Sequence, residues 1–199
     1  MRTRTILLAA LAAGVLGVVA GLAVNGPGPL LRTELGQRAG QHAMDAGAPP
    51  PPEGLAVARR GGPVPDITLP GLDGAPVTLP GDFSGRPLLV NLWASWCGPC
   101  IEDMPELDRF ATAQGTGGVQ VVGIALDDRE AVAAFLERIP VRYPILFDAP
   151  GPRDAGVQLG NPRGVLPYTA LVSADGRLVR QRIGPFAPGE LDAWAAGAE

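Results

Sequence analysis

The chain holds two cysteines in 199 residues, and they stand together as Cys97-Gly98-Pro99-Cys100. Just before them, Leu88-Leu89-Val90-Asn91-Leu92-Trp93 is a nearly continuous apolar run, the pattern of a strand covered on both faces of a sheet. Just after them, Met104, Leu107, Phe110 and Ala111 recur at helical spacing and predict a helix over residues 101–114. The chain must therefore turn from buried strand into helix at the cysteine pair. The unpaired amides and dipole of a helix N-terminus stabilise a thiolate, here on Cys97. Cys100, one turn further in, is then placed to attack a mixed disulfide formed there. Other uses of the pair fit less well. Zinc takes about four ligands, and the sequence adds only one histidine, His42, in a distant polar stretch. A structural disulfide closing so short a loop restricts the unfolded chain little. The pair thus points to thiol–disulfide exchange, with no metal or cofactor expected.

The stretch Asn91-Leu92-Trp93-Ala94-Ser95-Trp96-Cys97-Gly98-Pro99-Cys100 resembles the active-site segment of thioredoxin-fold proteins. Among these it is most similar to the TlpA/ResA-type family of membrane-anchored thiol–disulfide oxidoreductases, over residues 63–199. Asn91 stands where cytoplasmic thioredoxins carry a buried aspartate, and Pro105 matches a proline that this branch places in its active-site helix. The resemblance implies an α/β thioredoxin fold with an N-terminal β-hairpin extension and an inserted helix–strand element.

Arg2 and Arg4 precede an uncharged apolar stretch, residues 6–24. At ~1.5 Å per residue such a helix is roughly 28 Å long, enough for a ~30 Å hydrocarbon layer. Basic residues on its leading side keep residues 1–5 in the cytoplasm and send the rest across. A cleaved leader has an apolar region of about 7–15 residues, so the length favours an anchor in the inner membrane, and both readings place the cysteines outside the cytoplasm. Residues 25–62, with Pro49-Pro50-Pro51-Pro52, are rich in proline and glycine and are expected to be a tether. A net charge of −4 gives no basic field for nucleic acid, and a monomer is the default.

Within residues 63–199, 67–69 and 77–79 predict a leading hairpin, and 88–93 and 119–126 predict parallel strands joined by the cysteine helix. A helix over 129–138, capped by Asp127 or Asp128, a strand over 143–147, a closing hairpin (168–173 and 178–183) and a last helix over 188–196 complete the pattern. Trp93 is expected in the core, while Trp96 is expected to shield the sulfurs and line a docking surface.

Pro167 precedes a strand, where proline is ordinary and normally trans. The resemblance implies instead the family's cis-proline beside the cysteines, with Leu166 pairing its backbone to an extended substrate segment and the proline excluding metal from the sulfurs. The branch commonly carries a glutamate three residues after the second cysteine; here that residue is Asp103. Its i, i+3 spacing puts it on the same side of the helix as Cys100, whereas Glu102 projects elsewhere. A purely dipole-complementing role for Asp103 stays open.

Gly98-Pro99 is the dipeptide of reducing thioredoxins, which favours a reductase of exported proteins with oxidised cysteine pairs, kept reduced by a membrane-embedded thiol reductant. Apocytochrome c is among the implied clients. Related proteins dedicated to it carry an acidic residue after the cis-proline, where this chain has Tyr168. Two alternatives come from other classes. Pro65-Asp66-Ile67-Thr68-Leu69 resembles the opening strand of peroxiredoxins, but Ala94 replaces the threonine those enzymes need. A non-catalytic binding module would tolerate loss of both cysteines.

Overall fold

The apolar run of residues 88–93 becomes β3 (Leu88–Trp93), and every residue of it is buried. In this computed structural model, the described residues are 33–197 together with Ile6, Ala13, Gly14, Leu16, Gly17 and Gly21. The expected membrane anchor, residues 6–24, lies largely outside them. Among the described residues no helix is long and apolar enough to cross a membrane. The chain divides into two units, Met1–His42 and Ala43–Glu199. Helix α1 (Glu34–Ala46) lies across that boundary and buries none of its residues.

The second unit carries the sheet. A leading hairpin pairs β1 (Ile67–Pro70) with β2 (Pro76–Leu79), and a short 3-10 turn (Gly81–Phe83) leads to β3. Then follow α2 (Gly98–Gln114), β4 (Gln120–Leu126), α3 (Arg129–Arg138), β5 (Ile145–Asp148), α4 (Ala155–Gln158), β6 (Tyr168–Val172), β7 (Leu178–Ile183) and α5 (Glu190–Ala195). The main sheet has 5 strands in the order β5-β4-β3-β6-β7. β3, β4 and β5 are parallel, while β6 and β7 close the sheet antiparallel. This is the thioredoxin arrangement, with the expected leading hairpin and the α3–β5 insertion. The Gly71–Leu146 bridge lays the hairpin against β5, covering an edge that would otherwise offer unpaired backbone.

Alternation along the central strands sorts side chains into two cores. Leu89, Trp93, Val121, Ala125 and Leu171 meet α2, α3 and α5, together with both cysteines. Leu88, Val90, Leu92, Val122, Ile124 and Tyr168 meet the hairpin, α4 and the segment before β1. Trp93 stacks at a tilt on Phe135, with ring centroids 5.4 Å apart. Its neighbour strand must be slim there: a Cβ on Gly123 would lie 2.7 Å from Ile145 Cδ1 and 3.2 Å from Trp93 Nε1. A side chain at 123 would force Ile145 to shift and crowd Tyr143 and the indole.

Several elements differ from their sequence-based expectation. Part of the expected tether is helical in α1, where Thr33 Oγ1 accepts from the Gly36 amide and Arg38 pairs with Glu34 at 2.7 Å. The sheet-bearing unit also takes in backbone before Pro63. Ala58 N–H donates to Gln158 O at 2.7 Å, Gly61 N–H to Leu178 O at 2.7 Å, and Ala58 is buried. β5 begins at Ile145 because Pro144 has no amide to give the ladder. Of the two expected caps of α3, Asp128 takes the role, accepting from the Glu130 and Ala131 amides. Leu136 and Ile139 are only half-buried, while Val132 and Phe135 are fully in the core. The one-turn helix α4 has a cap of its own in Asp154, whose side chain accepts from the Val157 amide.

The close fit of Ala58 can be tested against its exposed neighbour Ala56. Ala58→Asp, which puts an unpaired charge in the core beneath the hairpin, is expected to cost at least about 2 kcal/mol in urea unfolding. Ala56→Asp should stay within about 0.5 kcal/mol of the parent.

Candidate active site

The register of three strands brings the site together. β3 and β6 run antiparallel with Leu92 opposite Tyr168, so the start of β6 lies beside the end of β3. Pro167, immediately before β6, is thereby set next to the turn that carries Cys97. The Leu166–Pro167 peptide is cis. The Leu79–Pro80 peptide, at the end of the hairpin, is also cis, and no residue pattern there points to it.

The turn from β3 into α2 is tied at each step. Asp127 Oδ2 accepts from both the amide (2.8 Å) and the hydroxyl (2.6 Å) of Ser95. The Cys97 amide donates to Ala94 O, and Cys97 O accepts from the amides of Cys100 and Ile101. Cys97 is therefore the N-cap of α2, with Pro99 in the first turn, where a missing amide costs nothing. Cys97 and Cys100 form a disulfide of 2.03 Å. Cys100 is fully enclosed, and Cys97 is the more exposed of the two residues at 6 %. Gly98 and Pro99 are exposed, and Trp96 stands 70 % exposed beside them. The helix starts at Gly98 rather than 101, which places the whole motif at its N-terminal turn.

Asp103 is one turn beyond Cys100 and only 3 % exposed. Its Oδ1 accepts from the Phe186 amide at 3.0 Å, while Oδ2 is buried with no hydrogen-bond partner. Burial pushes its carboxyl up to about 6; the Phe186 amide and the Arg182 charge pull it back, and Glu102 and Glu190 push it further up. Glu102 itself is exposed on the helix surface. Of the two acids, Asp103 alone is held inside.

Sequence reasoning missed four contributors. Phe186, Arg182 and Glu190 surround Asp103 from the far end of the chain, and nothing in the pattern of β7 separates Arg182 from its neighbour Arg180. The fourth is Asn161, fully buried, whose amide group donates to Val165 O (2.9 Å) and accepts from Val165 N–H (3.1 Å). It staples the loop that presents Leu166 and Pro167. Tyr168 turns away from the cysteines into the opposite core, donating to Leu159 O at 2.9 Å.

Asn161→Ala removes two part-buried hydrogen bonds and is expected to cost about 2 kcal/mol of stability. Because the loop it releases is the one beside the cysteines, the same variant should lose more in KM than in kcat for reduction of a protein disulfide.

A strand, a helix N-cap, a thiolate-stabilising turn and a cis-proline are thus assembled around one disulfide. The family model described as Redoxin matches residues 59–196. A thiol:disulfide interchange protein DsbE from Allochromatium vinosum is 34% identical over 135 residues, covering 67% of this chain and 70% of that protein. A thiol-disulfide oxidoreductase ResA from Bacillus cereus is 27% identical over 131 residues, 65% of this chain and 73% of that protein. A crystal structure from Chlorobium tepidum, described as a thiol:disulfide interchange protein DsbE, superposes with a TM-score of 0.62 at 28% identity, covering 71% of this chain and 98% of that one. With the family model spanning the sheet-bearing unit and the cysteine pair at the α2 N-cap, the chain belongs to the Redoxin family and is a thiol–disulfide oxidoreductase.

Proposed function

We propose that this chain is a membrane-tethered, extracytoplasmic reductase of disulfides in exported proteins. The observation that carries the reading is the pairing of an accessible sulfur at a helix N-cap with an enclosed sulfur one turn above a buried, half-satisfied carboxylate.

The steps follow from that geometry. In the reduced chain, the Cys97 thiolate attacks one sulfur of a client disulfide; the Cys97–client bond forms and the second client sulfur leaves as a thiolate. The client segment docks in extended form against the backbone at Leu166, beside Pro167 and Trp96, with Gly98 and Pro99 leaving the approach open. Cys100 then loses its proton to Asp103 and attacks the Cys97 sulfur. The Cys97–Cys100 bond forms, the Asp103 proton goes to the departing sulfur, and the first client thiolate takes a proton from solvent, so the client is released as a dithiol. Two electrons pass from the chain to the client, leaving the disulfide seen here.

Asp103 suits this step because of its burial. A carboxylate at about 6 is a better match for a thiol near ~8.5 than an ordinary one near ~3.9. The compartment rests on Arg2 and Arg4 preceding the apolar stretch 6–24, and the reductant on the need to return two electrons to Cys97–Cys100 where disulfides otherwise persist. A membrane-embedded dithiol supplies them. Tyr168, buried in the far core, offers a client no acidic contact at this position, so we expect broad client use rather than strict preference for apocytochrome c.

Reduced chain should reduce insulin disulfides catalytically under a dithiothreitol supply, and Cys97→Ser should abolish this. Cys100→Ser should instead accumulate a client–Cys97 mixed disulfide on a non-reducing gel; no adduct and undiminished turnover would contradict the assignment of roles.

A second outcome follows from the carboxyl. Below about pH 3.8 Asp103 is protonated in both folded and unfolded chains; between 3.8 and about 6 the unfolded chain gives up its proton first, so the folded state loses stability through that window. Asp103→Asn keeps an acceptor for Phe186 without the charge. It should therefore raise stability by about 2–3 kcal/mol at pH 7.5 and by nearly nothing near pH 3.5, while slowing mixed-disulfide resolution about 10-fold or more.

A further inference from the structure

The sheet face under α2 carries a row of polar side chains set by strand register: Asn91 opposite Thr169, and Thr169 opposite Arg182. Asn91 donates to Thr169 Oγ1 at 3.1 Å. Arg182 is the charged end of this row and is 1 % exposed, an expensive place for a guanidinium unless it is paired. Its Nη1 and Nη2 meet Glu190 Oε1 and Oε2 at 2.6 and 3.0 Å. Nη2 also donates to Pro185 O at 2.7 Å, and the guanidinium lies 4.4 Å from the centre of the Phe186 ring. One side chain thus grips the carbonyl before Phe186 and the ring of Phe186 itself. The amide of that same residue is the donor to Asp103 Oδ1. Glu190 closes the loop by accepting from the Ala187 amide at 2.8 Å.

We propose that Arg182 is a positioning residue for Asp103, fixing the Phe186 amide that orients the carboxyl and, with Glu190, setting the balance of charge around it. The proposal deepens the reading of Asp103 as the proton acceptor for Cys100 and rests on it. A buried ion pair that only braced the fold could face either way along the loop. This one points its fixed amide at the half-satisfied carboxyl. The other charged or titratable groups facing Asp103 are Glu102 on its own helix, Tyr143 ahead of β5, and Cys100 when reduced. The cation lowers the proton affinity of Asp103, and the anion of Glu190 raises it.

Breaking the pair from its two ends separates tuning from bracing. Asp103 is titrated by carbon-13 NMR in the full oxidised chain, where neither cysteine titrates, with its carboxyl signal assigned by loss in Asp103→Asn. Arg182→Met removes the cation and strands Glu190, so the Asp103 midpoint should rise by about one pH unit. Glu190→Gln strands the cation, so the midpoint should fall by a similar amount. Both variants lose the same ion pair, so a merely structural role predicts shifts of one sign or none, and either result overturns the proposal. If Arg182→Met does not fold, Glu190→Gln decides alone, because Glu190 lies nearer the surface than Arg182: a fall supports the proposal, and no shift or a rise overturns it. The pH profile of mixed-disulfide resolution in the parent tests the underlying reading separately. A rate independent of the Asp103 midpoint removes the proton role and leaves the NMR shifts to judge Arg182.

Discussion

Everything in the site depends on one junction, the passage of a fully buried strand into a helix at Cys97. β3 is apolar on both faces because both are covered, and that burial fixes its direction and depth in the sheet. With the strand fixed, the first helical turn has a single place to begin, and Cys97 becomes its N-cap. The unpaired amides of that turn and the helix dipole then act on one sulfur more than on the other. Asymmetry between the two cysteines is what exchange chemistry requires: an attacking thiolate that is reached from outside and a resolving thiol that is not. The antiparallel partner β6 brings the Leu166–Pro167 peptide to the same end of the sheet by register alone.

Beneath the sulfurs the protein keeps an unusual amount of polarity out of water. Asn91, Asp103, Thr169 and Arg182 are all buried, and Asp103 Oδ2 and Asn91 Oδ1 lack protein partners. Such groups destabilise a fold unless compensated. The Glu190–Arg182 pair compensates in part, and the residual cost at Asp103 is what keeps its carboxyl ready to take a proton near neutral pH. In the proposed mechanism, stability is given up at the residue where proton transfer is needed.

Much of this was legible in the sequence for physical reasons that can be named. β3, β7 and α3 begin and end where periodicity and capping placed them, because long apolar patterns leave little freedom. The cysteine pair and the depth of Trp93 followed from the same patterns. The cis form of Pro167 was implied by family resemblance rather than by the residues themselves. Helix α1 was not expected, since its signals are one threonine cap and one Glu34–Arg38 pair in a proline- and glycine-rich stretch. Helix α4 is four residues long and has no periodicity to detect. The environment of Asp103 was only half visible: its spacing from Cys100 is local, but Phe186, Arg182 and Glu190 reach it through tertiary packing across about 80 residues of chain. Charges that meet only after folding leave no period in a sequence.

The direction of electron flow is the claim most directly open to measurement. The equilibrium reduction potential of Cys97–Cys100 in the full chain, titrated against dithiothreitol or glutathione buffers, reads it in a single experiment. A value near or below about −250 mV is predicted, in the range of thioredoxin and fitting for an electron donor. A value near about −120 mV, that of a strong oxidant, would contradict a reductase and make the same site a donor of disulfides.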